Sequence, residues 1–152
     1  MAYLRVDFPD DVLKQIAKTA DDETSRRMLK ESIPILQKSI QDTIKAEHND
    51  SGDLWKSIEA FEPYKNKDEN WTVSTAPTGK AKGQMKKGKV FARSKSGTVS
   101  SGQSLYNSDK LFFLEYGTEK QDPKPVLTRA TNNAYQSVVD RMQEIFNEEM
   151  NK

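Results

Sequence analysis

Residues 110–130, KLFFLEYGTEKQDPKPVLTRA, decide how the rest of the chain is read. An apolar run, Leu111-Phe112-Phe113-Leu114, carries a single acid, Glu115, at its far end and stops at Gly117. Four large apolar residues fit a buried strand or a buried helix, and periodicity cannot separate the two over so short a span. The flanks favour a helix. Asn107, Ser108 and Asp109 supply side-chain oxygens for free N–H groups at its start, and Gly117 can take the left-handed conformation that ends it. Pro123 and Pro125 exclude continuation, and Pro125 suits the first turn of a new helix, where its missing N–H would be unpaired anyway. The stretch therefore predicts a short helix, a turn, an extended link and a second helix. Glu115 then has two readings: a carboxylate that accepts hydrogen bonds from the turn around Gly117 and Thr118, or one that faces a neighbouring subunit. Gly117 is most simply a backbone requirement.

Working outward, the helix that begins at about Pro125 runs to about Glu149. Leu127, Ala130, Ala134, Val138, Met142 and Ile145 line one side, and Tyr135, Val139 and Phe146 widen the face. Such a face must pack on a sheet and on another helix. The partner helix is legible as Leu29, Ile33, Leu36, Ile40 and Ile44, at steps of four, three, four and four. Asp21 or Asp22 caps it, and Asp22 and Glu23 meet the positive end of its dipole. Pro34 removes one N–H inside it, which predicts a kink or a split there.

Upstream, residues 3–8 alternate as a brief edge strand, and Pro9 opens a first helix with Leu13, Ile16, Ala17 and Ala20 on one face. Downstream, Ile58–Pro63 and Trp71–Ala76 read as a hairpin joined by Tyr64–Asn70, with a helix over Ser51–Phe61 as the rival. The fold class is α+β: a small antiparallel sheet packed against a long N-terminal and a long C-terminal helix, in one domain spanning 1–152.

Between Asn70 and Ser108 there is no acid, while Lys80, Lys82, Lys86, Lys87, Lys89, Arg93 and Lys95 give the span a charge of +7. Residues 1–69 carry −4 and residues 109–152 carry −2, so a chain of net charge +1 is strongly segregated. Five glycines and a Ser/Thr cluster mark about 78–104 as a basic flexible insertion, with Val90-Phe91-Ala92 as a possible short strand. Phe91 is the one aromatic residue between Lys80 and Lys95, so stacking platforms for single-stranded nucleic acid are missing.

At 152 residues with 34% apolar content and a mean hydropathy of −0.86, the chain supports one lean core. No run approaches the roughly 20 apolar residues that span a bilayer, and the first residues lack the pattern of a signal peptide. Zero cysteines remove disulfides, thiolate metal sites and cysteine nucleophiles together. The single histidine, His48, lies in a polar break and reads as exposed. The acid pairs Asp10-Asp11, Asp21-Asp22 and Glu148-Glu149 fall at helix ends, where dipole compensation or solvation explains them. The glycine-rich span lacks the Gly-Lys-Ser/Thr ending of a phosphate loop. Nothing here supplies a nucleophile, a base and an oxyanion site together, so no enzyme and no cofactor is expected.

Three short signatures, in order, carry a resemblance. Leu111–Thr118 is followed by Pro125-Val126-Leu127-Thr128-Arg129-Ala130, and both are preceded by Ser51-Gly52-Asp53-Leu54-Trp55-Lys56-Ser57-Ile58. Together they resemble a family of neck or tail-completion proteins of long-tailed phages, similar to minor tail protein Z. In that family an aromatic segment ending in Glu-aromatic-Gly-Thr precedes a Pro-Phe-Leu-Arg-Pro-Ala-like helix entry, and a Thr-Gly-x-Leu-x-x-Ser-Ile element lies upstream. Lys110 stands where the family usually has Tyr, Val126 where it has Phe, Thr128 where it has Arg and Arg129 where it has Pro. The long basic span is also outside the family pattern. The resemblance implies a virion structural protein of the head–tail junction, made in the host cytoplasm. Its implied partners are copies of itself in a ring, the connector and the tail tube, with DNA in the channel as a further partner and no membrane. Ser51, Gly52, Leu54, Tyr116, Gly117, Thr118, Pro125 and Leu127 are then its structural motif, and Glu115 with the seven cations its contact candidates. The competing reading is a nucleic-acid module without sequence specificity.

Overall fold

A computed structural model describes residues 16, 18, 20–48, 52–81 and 106–152. The edge strand at 3–8, the short strand at 90–92 and most of the first helix lie outside the described residues, as do Ser51, Lys82, Lys86, Lys87, Lys89, Arg93 and Lys95.

The first long helix, α1, spans Asp22–Glu47. Asp21 stops the preceding turn and caps α1, its carboxylate accepting the Thr24 N–H at 2.7 Å. Of the two outcomes anticipated at Pro34, the split does not occur: the helix runs unbroken through it. Pro34 and Lys30, whose carbonyl loses its N–H partner, are both exposed, so water can serve that carbonyl.

A single helical turn, α2 (Asp53–Lys56), follows. The helical rival for residues 51–61 is thus realised only there, because the chain extends from Ile58 onward. Four short strands come next: β1 Ile58–Ala60, β2 Tyr64–Lys65, β3 Trp71–Thr72 and β4 Thr75–Pro77. β1 pairs antiparallel with β4, Glu59 opposite Ala76, and β2 with β3, Tyr64 opposite Thr72. The two ladders belong to one hairpin with a fault in it. Phe61–Pro63 intervene on one side and only Val73 and Ser74 on the other, so the first arm has one extra residue. Pro63 has no N–H to offer a ladder, which places the fault there. The turn is shorter than anticipated, since Tyr64 and Lys65 belong to a strand. Asn66 builds it, its side-chain oxygen accepting the N–H groups of Asp68 and Asn70 at 2.9 and 3.0 Å.

Two further helices, α3 (Asn107–Tyr116) and α4 (Val126–Met150), complete the chain. α4 packs along α1, and small residues let the two approach: Ser39 donates to the Ala130 carbonyl at 2.8 Å, and Ser32, Ala130 and Ala134 are buried. The core joins Ile40 and Ile44 of α1, Leu54 of α2, Ile58 of β1, Leu111 and Leu114 of α3, and Val126 and Ala130 of α4. Each large member contributes roughly 1.5–3 kcal/mol by leaving water. The sheet lies along α1: Gln37 and Gln41 donate to the Ile58 carbonyl at 2.8 and 3.2 Å, and Trp71 Nε1 donates to Asp22 at 3.0 Å. That placement corrects one expectation. Tyr135 and Val139 do not widen the buried face of α4 but are exposed, because α1 covers one stripe of α4 and the sheet rests on α1.

Ion pairs tie both ends of the α1–α4 pair. Arg129 meets Glu47 at 2.7 Å at one end, and Arg27 meets Glu148 at 2.8 Å and Glu149 at 2.5 Å at the other, with Glu31 between Arg27 and Arg141. Hydrogen bonds from Arg27 and then Arg141 hold the Glu31 carboxyl below the usual glutamate range, and Lys152 and then Arg27 do the same for Glu149. A carboxyl depressed in the folded state adds stability that is complete above its unfolded pKa, about 4.3, and lost as pH falls through the lower folded value. The melting midpoint, followed by circular dichroism, is therefore expected to drop between about pH 5 and pH 3. Glu31→Gln should lower it slightly at pH 7, since half-exposed pairs contribute little, and should shrink the acid drop.

Candidate functional site

The α3–α4 corner gathers most of the residues singled out from the sequence. α3 starts at Tyr106, whose N–H is accepted by the Asp109 carboxylate at 3.0 Å. Of the three side chains offered as caps, Asp109 serves that end. Asn107 turns inward, 4% exposed, and donates to the Thr78 carbonyl at 2.7 Å. Leu111, Leu114 and Glu115 face the body, while Phe112 and Tyr116, one turn apart, face out with ring centroids 4.8 Å from each other. Tyr116 is 69% exposed.

Glu115, 8% exposed, neither faces outward nor serves its own turn. Its Oε2 accepts the Leu127 N–H at 2.7 Å, and its Oε1 accepts the Thr128 N–H at 3.3 Å and the Thr128 hydroxyl at 2.9 Å. These are the second and third residues of α4, the N–H groups that an N-cap side chain ordinarily takes. The N-cap of α4 is Pro125, not a residue inside its first turn, and proline has no side-chain acceptor. The carboxylate of the preceding helix fills that role and also sets a negative charge at the positive end of the α4 dipole. The anticipated bonds to the turn around Gly117 and Thr118 are thus corrected: the carboxylate serves the start of α4 instead. The cue available in the sequence was a helix start at a proline with no acceptor of its own; the partner was missed because it lies 12 residues upstream.

The turn that makes this reach possible depends on Gly117. Its φ of 74° has the anticipated sign, but its ψ of −175° places it in the mirror of the extended region and not in the left-handed helical one. A Cβ there would sit 2.7 Å from the Gln121 carbonyl oxygen and 2.8 Å from the Pro123 nitrogen. Thr118 and Gln121 close the turn, Thr118 N–H donating at 2.8 Å, and the Lys124 N–H returns to the Leu114 carbonyl at 2.7 Å.

The remaining candidates are placed as follows. Leu54 is buried, Leu127 packs against the core, and Gly52 takes the left-handed conformation at the start of α2 with φ 73°. Lys80 is exposed and pairs in an isolated antiparallel bridge with Tyr106, while the Asn107 N–H donates to the Gly79 carbonyl at 3.1 Å. The two ends of the basic span are therefore stapled together on the body. His48 is half-buried rather than exposed, closing α1 with its N–H on the Ile44 carbonyl at 2.7 Å. Asp22 is engaged by Lys65 and Trp71, which hold its carboxyl below the usual aspartate range, and Glu148 and Glu149 by Arg27. Among the described residues no group of three His, Asp or Glu side chains is arranged as metal ligands.

Replacing Glu115 by Ala is expected to cost about 2 kcal/mol, because two helix N–H groups lose a charged acceptor, and Gln should recover part of it. Gly117→Ala should cost about 1–3 kcal/mol from backbone strain alone, with further loss from the close contacts. Urea unfolding of the three variants checks both. Compared with known proteins, the chain matches no protein-family model, no curated protein and no solved structure.

Proposed function

We propose that the chain is a phage virion structural protein of the head–tail junction, a neck or tail-completion component that works through ring assembly and contacts with the connector and tail tube. The observation that carries this reading is the use made of Glu115. The acid in the resemblance's strongest motif is spent on the backbone of the next helix, which makes the motif a device for holding shape, and α3 then presents Phe112 and Tyr116 to the outside. The Leu111–Thr118, Pro125–Ala130 and Ser51–Ile58 signatures are the residues on which the family resemblance rests. On this reading the protein performs no chemical step, is made in the host cytoplasm and ends in the virion.

A second reading rests on the seven cations of the basic span. As a stand-alone nucleic-acid module, the chain would grip phosphates through them with a salt slope on the order of −6 in log K against log salt. The stapled base at Gly79, Lys80, Tyr106 and Asn107 suits either role, since the span leaves and rejoins the body at one point. The missing aromatic platforms favour the structural one.

Three measurements separate them. At high concentration or with neck partners, the purified protein is expected to form closed rings in negative-stain images, and persistent monomers with all partners present count against the proposal. Lys80, Lys82, Lys86 and Lys87 changed together to Ser should leave the melting midpoint nearly unchanged while particle assembly suffers. A gel shift with unrelated DNAs that weakens steeply between low and moderate salt would favour the second reading instead.

A further inference from the structure

Trp55, in the single turn α2, is half-buried and packs against the core. Two exposed lysines stand over its ring, Lys45 from the last turn of α1 and Lys56 from α2 itself, each ammonium 5.3 Å from the ring centroid. Each contact is a cation–π attraction. Dipole compensation accounts for Lys45 at a helix end, but not for a second cation from another element over the same ring. Like charges so gathered repel, and a shared anion turns that repulsion into binding. Among the described residues neither lysine forms an ion pair, and Glu47, at the end of α1, is taken by Arg129 at 2.7 Å. The indole N–H is a buried donor without a partner. A Cβ on Gly52 would lie 3.3 Å from Trp55 Nε1 and 3.6 Å from Lys56 Nζ. Donor and ammonium thus meet beside the same bare glycine, and an unpaired buried donor gains when an acceptor arrives.

The neighbourhood selects the anion. The carbonyl of Ser57, the residue after Lys56, accepts the Thr78 N–H at 2.8 Å, so Gly79 and Lys80, where the basic span leaves the body, follow directly from this site. That span lacks a stacking platform, with Phe91 its one aromatic residue between Lys80 and Lys95, and the body supplies one at its root. Cations leading to a flat indole fit single-stranded nucleic acid, whose phosphates pair with lysines and whose bases stack on the ring; an acidic protein brings the charge without the bases. We infer that Lys45, Trp55 and Lys56 bind single-stranded nucleic acid, a base stacking on the indole and its phosphates held by the two ammoniums. The site adds a partner to the head–tail reading and does not rest on it, since a protein that formed no rings could still carry it.

Trp71 is the one other tryptophan of the chain, so Trp71→Phe leaves Trp55 as the sole reporter. In that background a short oligothymidylate added at low salt should quench Trp55 emission, and added salt should reverse the quench. Lys45→Ala with Lys56→Ala should weaken the binding so measured about tenfold and lower the slope of log K against log salt by about 1.4, the share of two phosphate contacts on a single strand. Both lysines are exposed, so the melting midpoint should hardly move, which keeps loss of binding apart from loss of fold. Lys45→Arg with Lys56→Arg keeps both charges and should bind nearly as tightly as the parent. Lys82, Lys86 and Lys87 changed together to Ser should leave the full extent of quenching at saturation. Unchanged Trp55 emission with saturating oligonucleotide, or unaltered binding in the double alanine variant, would overturn the inference. Equal quenching by polyphosphate or by polyglutamate would also overturn it, the first leaving an anion site without stacking and the second pointing to an acidic protein.

Discussion

The geometry of this protein hangs on one carboxylate. Glu115 sits at the end of α3 and closes the start of α4, so the position of a 25-residue helix is tied to a side chain that the core has already fixed through Leu111 and Leu114. A helix that begins at a proline has free N–H groups and no acceptor within reach of its own N-cap. Supplying that acceptor from the neighbouring helix makes the cap a tertiary contact as well as a local one. The same bonds that start α4 also dock it.

The residues around the clamp follow from it. Gly117 occupies a backbone region closed to side chains, which lets the chain reverse tightly enough for the Lys124 N–H to return to the Leu114 carbonyl. Pro125 fixes the approach to α4 and leaves its first turn dependent on Glu115. With α4 so placed, Ala130 and Ala134 let it run close against α1, and Arg27, Glu31, Glu47, Arg129 and Arg141 fasten the two long helices by paired charges. Outward lie the other side of α3, where the Phe112 and Tyr116 rings meet at a tilt, and the stapled base of the basic span.

Periodicity made the large elements legible. The step of three and four through Leu29, Ile33, Leu36, Ile40 and Ile44 marks α1, and the apolar positions after Pro125 mark α4, because a long helix repeats its signal many times. The hairpin was legible from alternation and the polar turn, but its fault at Pro63 was not, since a single proline on one arm does not state which pairs it breaks. Tyr135 and Val139 widen the apolar face of α4 in sequence yet stay exposed, because an apolar stripe cannot say how wide its neighbour is. The sequence marks Glu115 as the notable acid without disclosing that its partners are the N–H groups of Leu127 and Thr128. Local reasoning looks for caps within a turn, and the N–H groups it serves belong to the next element.

The clamp itself is most directly tested by amide hydrogen exchange, followed residue by residue by nuclear magnetic resonance. N–H groups in the first turn of a helix ordinarily exchange quickly, having no partner inside the helix. With the Glu115 carboxylate in place, those of Leu127 and Thr128 should exchange as slowly as amides in the middle of α4. Exchange at the rate of an open helix start would show that Glu115 does not hold α4 to the body.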